Sequence, residues 1–115
     1  MADVKIADVR MVGSKGVYDR IQTDKAFSKY VKHSVGRFWM GDWGDVSDRL
    51  KADNDTAFGK LNQGAYDRIT AIYKSMPVGL TSIDLPMPEI HIVREITDAD
   101  GRQSVTVQLA EERGA

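Results

Sequence analysis

The sequence predicts an α+β fold: two consecutive helices packed on a small antiparallel sheet of three to four strands that ends in a β-hairpin. Three observations carry this expectation. Apolar residues recur at three-and-four spacing after Thr23, the pattern turns β-branched and aromatic after Gly64, and two alternating runs flank Asp98-Ala99-Asp100-Gly101. At 115 residues, 42% hydrophobic and 29% charged, the chain has the material for one modest core, so a single domain over residues 1–115 is expected.

Residues 3–12 alternate loosely through Val4, Ile6, Val9 and Met11 and read as a short first strand, broken by Gly13-Ser14-Lys15-Gly16. Thr23 is placed as an N-cap, and Ala26, Phe27, Tyr30, Val31, Val35 and Phe38 form one face of a first helix over about 24–35. Gly36, Gly41 and Gly44 then crowd Phe38, Trp39 and Trp43, which reads as an ordered loop. Asp45 or Ser47 caps a second helix with Val46, Leu50, Ala57, Phe58 and Leu61 on its apolar face. A strand follows in residues 66–73. All three prolines fall in residues 75–88, expected to be an extended loop. Ile90, Ile92 and Ile96, then Val105, Val107 and Leu109, form the two strands of the hairpin.

The balance of charge excludes some functions. Sixteen basic and seventeen acidic residues leave a net charge of −1, so no long-range field draws the chain to nucleic acid or an anionic membrane. Cysteine is absent, which removes disulfides, thiolate zinc sites and cysteine nucleophiles. Asp3, Lys5, Asp8 and Arg10 interrupt the N-terminal apolar residues, so neither a signal peptide nor a spanning segment is expected, and the cytoplasm is the expected location.

Each candidate chemistry has a specific pattern behind it. Asp42, Asp45, Asp48, Asp53 and Asp55 form an acidic run that suits a divalent metal and phosphodiester hydrolysis if the carboxylates converge, although Asp45 and Asp48 equally suit a helix start. Asp53-Asn54-Asp55 is not a calcium loop, since the ligands that should follow are missing, and no metal site is assigned. Asn54 lies on an apolar helix face, where its amide needs partners; it is expected to clamp the Gly41–Gly44 backbone while Trp43 packs over the helix. His33, His91, Ser47 and Ser104 stand in no catalytic arrangement, and Gly13-Ser14-Lys15-Gly16 matches a phosphate loop in composition but not in spacing. No catalytic residue and no cofactor is assigned. Lys25, Lys29, Lys32 and Arg37 make a basic strip suited to phosphates, and the aromatic, charged loop of Phe38, Trp39, Asp42, Trp43, Asp45 and Asp48 suits a protein partner.

Gly41-Asp42-Trp43-Gly44-Asp45, followed by Asn54-Asp55 and Ala57 in a helix, a strand and a C-terminal hairpin, resembles a family of small uncharacterised proteins of plasmids, phages and other mobile elements, the plasmid-related proteins. The resemblance covers roughly residues 24–112. Leu50 stands where the family usually has an acidic residue, and Thr97-Asp98-Ala99-Asp100-Gly101-Arg102 where its hairpin carries a shorter Thr-Glu-Ala-Asp-Arg run. The resemblance implies a shared fold and a mobile-element context. Three functions follow as expectations. The first is a non-enzymatic interaction or inhibitor-type accessory protein that counteracts host defence. The second is a nucleic-acid-binding module using the lysines, and the third a metal-dependent hydrolase or nuclease using Asp42–Asp55. The edges of a short sheet also offer a route to a homodimer.

Overall fold

The computed structural model describes residues 9–59, 68–77, 84–96 and 103–113. In chain order the elements are β1 (Val9–Gly13), α1 (Lys15–Thr23), α2 (Lys25–Trp39), α3 (Asp48–Gly59), β2 (Ile69–Pro77), β3 (Asp84–Ile96), β4 (Gln103–Leu109) and the short α4 (Ala110–Arg113). The strands form one four-stranded sheet in the order β1-β4-β3-β2. The class is α+β, with adjacent helices packed against the sheet and a closing β3–β4 hairpin.

Local chemistry explains the helices. Ser14 caps α1 by accepting from Val17 N–H, and Asp24 ends α1 and then caps α2 by accepting from Phe27 N–H at 3.1 Å. Along α2 the buried residues are Phe27, Tyr30, Val31, Ser34 and Phe38, so the expected apolar face is present but the helix continues through Gly36 to Trp39. Packing of Phe38 in the core holds that last turn, which overrides the glycine's weak propensity. The expected break at 13–16 ends β1 at Gly13, but Lys15 and Gly16 already belong to α1, a helix not anticipated from the sequence, which forms because Ser14 caps it and Val17 and Ile21 meet the core. Ser47 Oγ accepts from Leu50 N–H at the start of α3, and this helix buries only Asn54 and Ala57, leaving Leu50 half-buried and Phe58 37% exposed with its ring against Trp43.

The sheet is mixed where an antiparallel one was expected: β1 runs parallel to β4, with Met11 opposite Val105, while β2–β3 and β3–β4 are antiparallel. The proline-bearing segment is strand where it is described, with Ser75 opposite Pro86 and Pro77 opposite Asp84. Prolines are tolerated there because β4 reaches only to Leu109, opposite Ile90, so the part of β3 before Ile90 has a neighbour on one side alone. The expected strand start at 66–67, Leu61, the hairpin tip at 97–102 and the residues before Val9 lie outside the described residues.

The register places Ile69, Ala71, Tyr73, Ile90, Ile92, Val105, Val107 and Leu109 on the face that meets Val17, Phe27, Tyr30 and Phe38. The Tyr30 hydroxyl, at the bottom of this core, lies 2.7 Å from the Tyr73 carbonyl and 2.9 Å from that of Pro88. Burial, reinforced by the charge of Asp45, pushes the Tyr30 phenol well above its ordinary value, so it remains a neutral donor. Among the described residues no helix is long and apolar enough to cross a membrane.

Candidate functional site

The five-residue run 41–45 leaves the end of α2 and lies along the outer edge of β2. Gly41 makes the departure, with φ +81° directly after Met40, while the N–H of Asp42 donates back to the Arg37 carbonyl at 2.9 Å. The Asp42 carboxylate then turns back on the same residue: Arg37 Nε donates to one oxygen at 2.7 Å and a terminal guanidinium nitrogen to the other at 3.1 Å. The second of these oxygens also accepts from Gly44 N–H at 3.1 Å. The Arg37 hydrogen bonds hold the Asp42 carboxyl below the usual carboxylate range. Arg37 in turn stacks on the Tyr73 ring, 4.9 Å from its centre, and the Tyr73 hydroxyl donates to the Asp42 carbonyl at 2.6 Å.

The middle of the run pairs with the sheet. Ile72 N–H donates to the Trp43 carbonyl at 3.0 Å and Asp45 N–H to the Ile72 carbonyl at 2.7 Å, making a parallel bridge between Gly44 and Ile72. Gly44 has φ +74°, and a Cβ there would stand 2.1 Å from the Ile72 carbonyl oxygen, so no side chain fits. Trp43 turns inward to 3% exposure, edge-on to Phe38 and Phe58, and its indole N–H donates to Asp55 at 2.8 Å. That bond, helped by Lys51, holds the Asp55 carboxyl below its ordinary value.

Asn54, 1% exposed, clamps a different partner from the one expected. Its amide donates to the Thr70 carbonyl at 2.7 Å and accepts from Thr70 N–H at 3.2 Å, so one side chain supplies what a neighbouring strand would. Asn54 and the loop therefore complete the edge of β2 at Thr70 and Ile72, while Trp43 packs over α3 as expected.

Between the second half of α2, the loop and the far end of β2 lies a cleft of about 440 Å³, lined by His33, Arg37, Met40, Asp42, Asp45, Ser75 and Pro77. Met40 is 83% exposed at its rim and Trp39, beside it in sequence, 38%. Asp45 pairs with no cation among the described residues.

The residues proposed from sequence for partner contact are divided by this geometry. Asp42 and Asp45 line the cleft and Trp39 is half-open, with the Arg94 guanidinium 5.5 Å from its ring centre. Phe38 and Trp43, at 2% and 3% exposure, are core residues: their rings pack against each other and cannot reach a partner. Asp48 is exposed in the first turn of α3, where a carboxylate complements the helix dipole. Lys25, Lys29 and Lys32 are exposed along α2, but Arg37 is taken up by Asp42 and does not extend their strip. The acidic run does not assemble: Asp42 holds Arg37, Asp55 holds Trp43 and Lys51, and no group of three or more His, Asp or Glu converges on a metal position among the described residues.

Sequence reasoning missed Met40, Ser75 and Pro77 as cleft residues, since the last two were expected in a loop. It also missed the contribution of Tyr73; the signal there was a tyrosine at an inward strand position, whose hydroxyl needs a partner when buried.

The Gly13–Gly16 run holds an anion of the chain's own. Glu112 accepts from Ser14 Oγ, from Gly16 N–H at 3.1 Å and from Leu109 N–H at 2.9 Å, so α4 is tied to the start of α1.

Comparison with family models, with curated proteins and with solved structures found no match. The site's own chemistry therefore carries the functional reading.

Proposed function

We propose that this protein is a non-enzymatic binding protein of a mobile genetic element that captures a protein partner at the cleft beside the 41–45 loop, acting as an inhibitor-type accessory factor against host defence. The observation that carries the reading is a rigid rim with exposed anchors. The loop is held by two backbone bonds to Ile72, by the Arg37–Asp42 pair and by Tyr73, yet Met40, Trp39 and Asp45 are open to solvent around it. Holding a surface loop in one conformation lowers the entropic cost of binding, and exposed methionine and tryptophan beside it are adaptable apolar contacts. The mobile-element context comes from the resemblance of Gly41-Asp42-Trp43-Gly44-Asp45 alone.

A photo-crosslinking amino acid placed at Met40, followed by incubation in nuclease-treated bacterial lysate, tests the reading. A single protein crosslinked from this position, and lost on Trp39→Ala, is the expected result. Crosslinks spread evenly over abundant proteins would overturn it.

A second reading has one observation in its favour: Lys25, Lys29 and Lys32 share an exposed face of α2 and pair with no carboxylate among the described residues. A nucleic-acid-binding strip of this kind gives an affinity that falls steeply with salt, and Lys29→Glu weakens it for every sequence alike.

A further inference from the structure

We infer that β1 is a dimerisation edge: two copies of the chain pair their β1 strands antiparallel about a two-fold axis at Met11, joining the two sheets into one. The inference is carried by the opposite end of the sheet from the cleft and does not depend on it.

One hydrogen bond fixes the direction of every backbone group in β1. Ser14 N–H donates to the Val107 carbonyl at 2.9 Å, and Gly13 lies opposite Val107 in parallel register. In a parallel ladder alternate residues turn both their N–H and C=O to the neighbouring strand, and the residues between turn both away. Arg10 and Val12 are therefore the residues bonded to β4. The N–H and C=O of Met11, with the N–H of Gly13 and the C=O of Val9, point out of the sheet. β1 is an end strand, and among the described residues no backbone group reaches Met11 from outside.

The two edges of this sheet are treated differently. On β2, Asn54 answers Thr70, the 41–45 loop answers Ile72, and Pro77 ends the strand. β1 has none of these protections: it contains no proline, and its register runs without a bulge from Val9 opposite Gln103 to Gly13 opposite Val107. A regular, uncovered edge is a template for another strand.

The flank above this edge is apolar. α1 packs over β4 and β1, at the β1 end of the sheet, whereas α2 covers β2 and β3. Within α1, Val17 and Ile21 meet the core. Gly16 and Arg20 occupy the flank turned away from β1, where Gly16 N–H donates to Glu112 and Arg20 lies over the Phe27 ring. Helical spacing then puts Tyr18 on the flank beside the open edge, where it is 62% exposed, and Met11 below it is 46% exposed. Both are residues that a second copy would cover.

The edge is also complementary to itself. An axis at Met11 sets Met11 against Met11 of the second copy as a hydrogen-bonded pair, Val9 against Gly13, and Arg10 against Val12, so no like charges stand opposite each other. On α1, Lys15 and Asp19 pair with each other at 3.9 Å, and two such flanks meet without a net charge. This self-complementarity selects a second copy as the occupant.

The test uses the full chain in sedimentation and amide-exchange measurements over about a hundredfold range of protein concentration. A monomer–dimer equilibrium is expected, with Met11 exchange slowing by about tenfold or more as dimer forms while Val12, already bonded to β4, is unchanged. Met11→Pro removes an N–H that β4 does not use and is expected to abolish the dimer. Met11→Lys, at a half-exposed side chain, keeps the fold and sets two like charges face to face, weakening association by about tenfold or more. The chain has no cysteine, so Met11→Cys reads the register: directly opposed residues stand about 5.5 Å apart, within disulfide reach. Oxidation is expected to crosslink Met11→Cys at least about tenfold faster than Met40→Cys, an exposed site on the other side of the fold. A chain that stays monomeric at every concentration overturns the inference. So does a dimer that survives Met11→Lys unweakened, or crosslinks Met40→Cys as fast as Met11→Cys, since its interface lies elsewhere. Met11 protection independent of concentration also overturns it, by showing that the chain covers its own edge.

Discussion

Gly44 and Gly36 differ in what surrounds them, and the difference fixes opposite responses to the same substitution. At Gly44 a methyl group meets the Ile72 carbonyl and the Tyr73 ring with φ on the positive side, so Gly44→Ala must push the loop off the sheet. A loss of about 3 kcal/mol or more is expected in urea unfolding. Gly36, inside α2, has nothing within 4 Å of a Cβ, and Gly36→Ala is expected to raise stability by about 0.5–1 kcal/mol through helix propensity. Ser34 is a second informative residue on the same helix. Its hydroxyl is buried with no hydrogen-bond partner among the described residues, so Ser34→Ala removes an unmet desolvation cost and is expected to be neutral or to stabilise by up to about 1 kcal/mol. A clear loss in Ser34→Ala would reveal a partner for that hydroxyl.

Among the elements, α3 and the 41–45 loop act as a substitute strand for β2, and Asn54 is the joint. Asn54→Ala strands the N–H and C=O of Thr70, for which a cost of about 2–4 kcal/mol is expected. The local signature separates this from general loosening: exchange of the Thr70 amide rises by more than that of Ala71, which is bonded to β3. At the other side of the fold Glu112 ties α4 and β4 to the start of α1. Its hydrogen bonds, the first of them from Ser14, favour the ionised form and bring its folded pKa below the ordinary 4.5. The stabilisation is therefore complete above the ordinary value and is lost as pH falls through the depressed one. Asp42, Asp55 and Glu89 are shifted in the same direction, so the measurement is a difference: Glu112→Gln is expected to show a shallower loss of stability below pH 4.5 than the parent chain.

For the whole molecule the relevant quantity is the division of labour between a locked loop and an open cleft. Met40 contributes little to the fold at 83% exposure, so Met40→Glu is expected to leave unfolding free energy within roughly 0.5 kcal/mol of the parent. Partner binding by the purified variant, read by calorimetry once the crosslinked protein is in hand, is expected to fall by about tenfold or more. Unchanged affinity would place the partner elsewhere, with the lysines of α2 the next surface to test. A net charge of −1 gives the molecule no general attraction to polyanions, so salt sensitivity, where it is found, reports the local lysine strip.

The sequence by itself determined the features whose cause is local. The Phe27, Tyr30, Val31 and Phe38 face of α2 was legible in its spacing, the β3–β4 hairpin in its alternation and turn residues, and the α+β class in the change from one period to the other. The 41–45 loop was recognisable from its glycines and tryptophan, but its task was not. Only the tertiary structure decided that Trp43 is core and that the loop serves as a strand beside Ile72, that Asn54 answers Thr70, and that β1 lies parallel to β4. It also decided that the prolines stand in strands, and that α1 is held by Glu112, 98 residues from Ser14. The physical reason is common to all of these. A buried or edge-lying backbone group must be hydrogen-bonded, but which distant residue satisfies it depends on how the chain packs, and no local pattern carries that information.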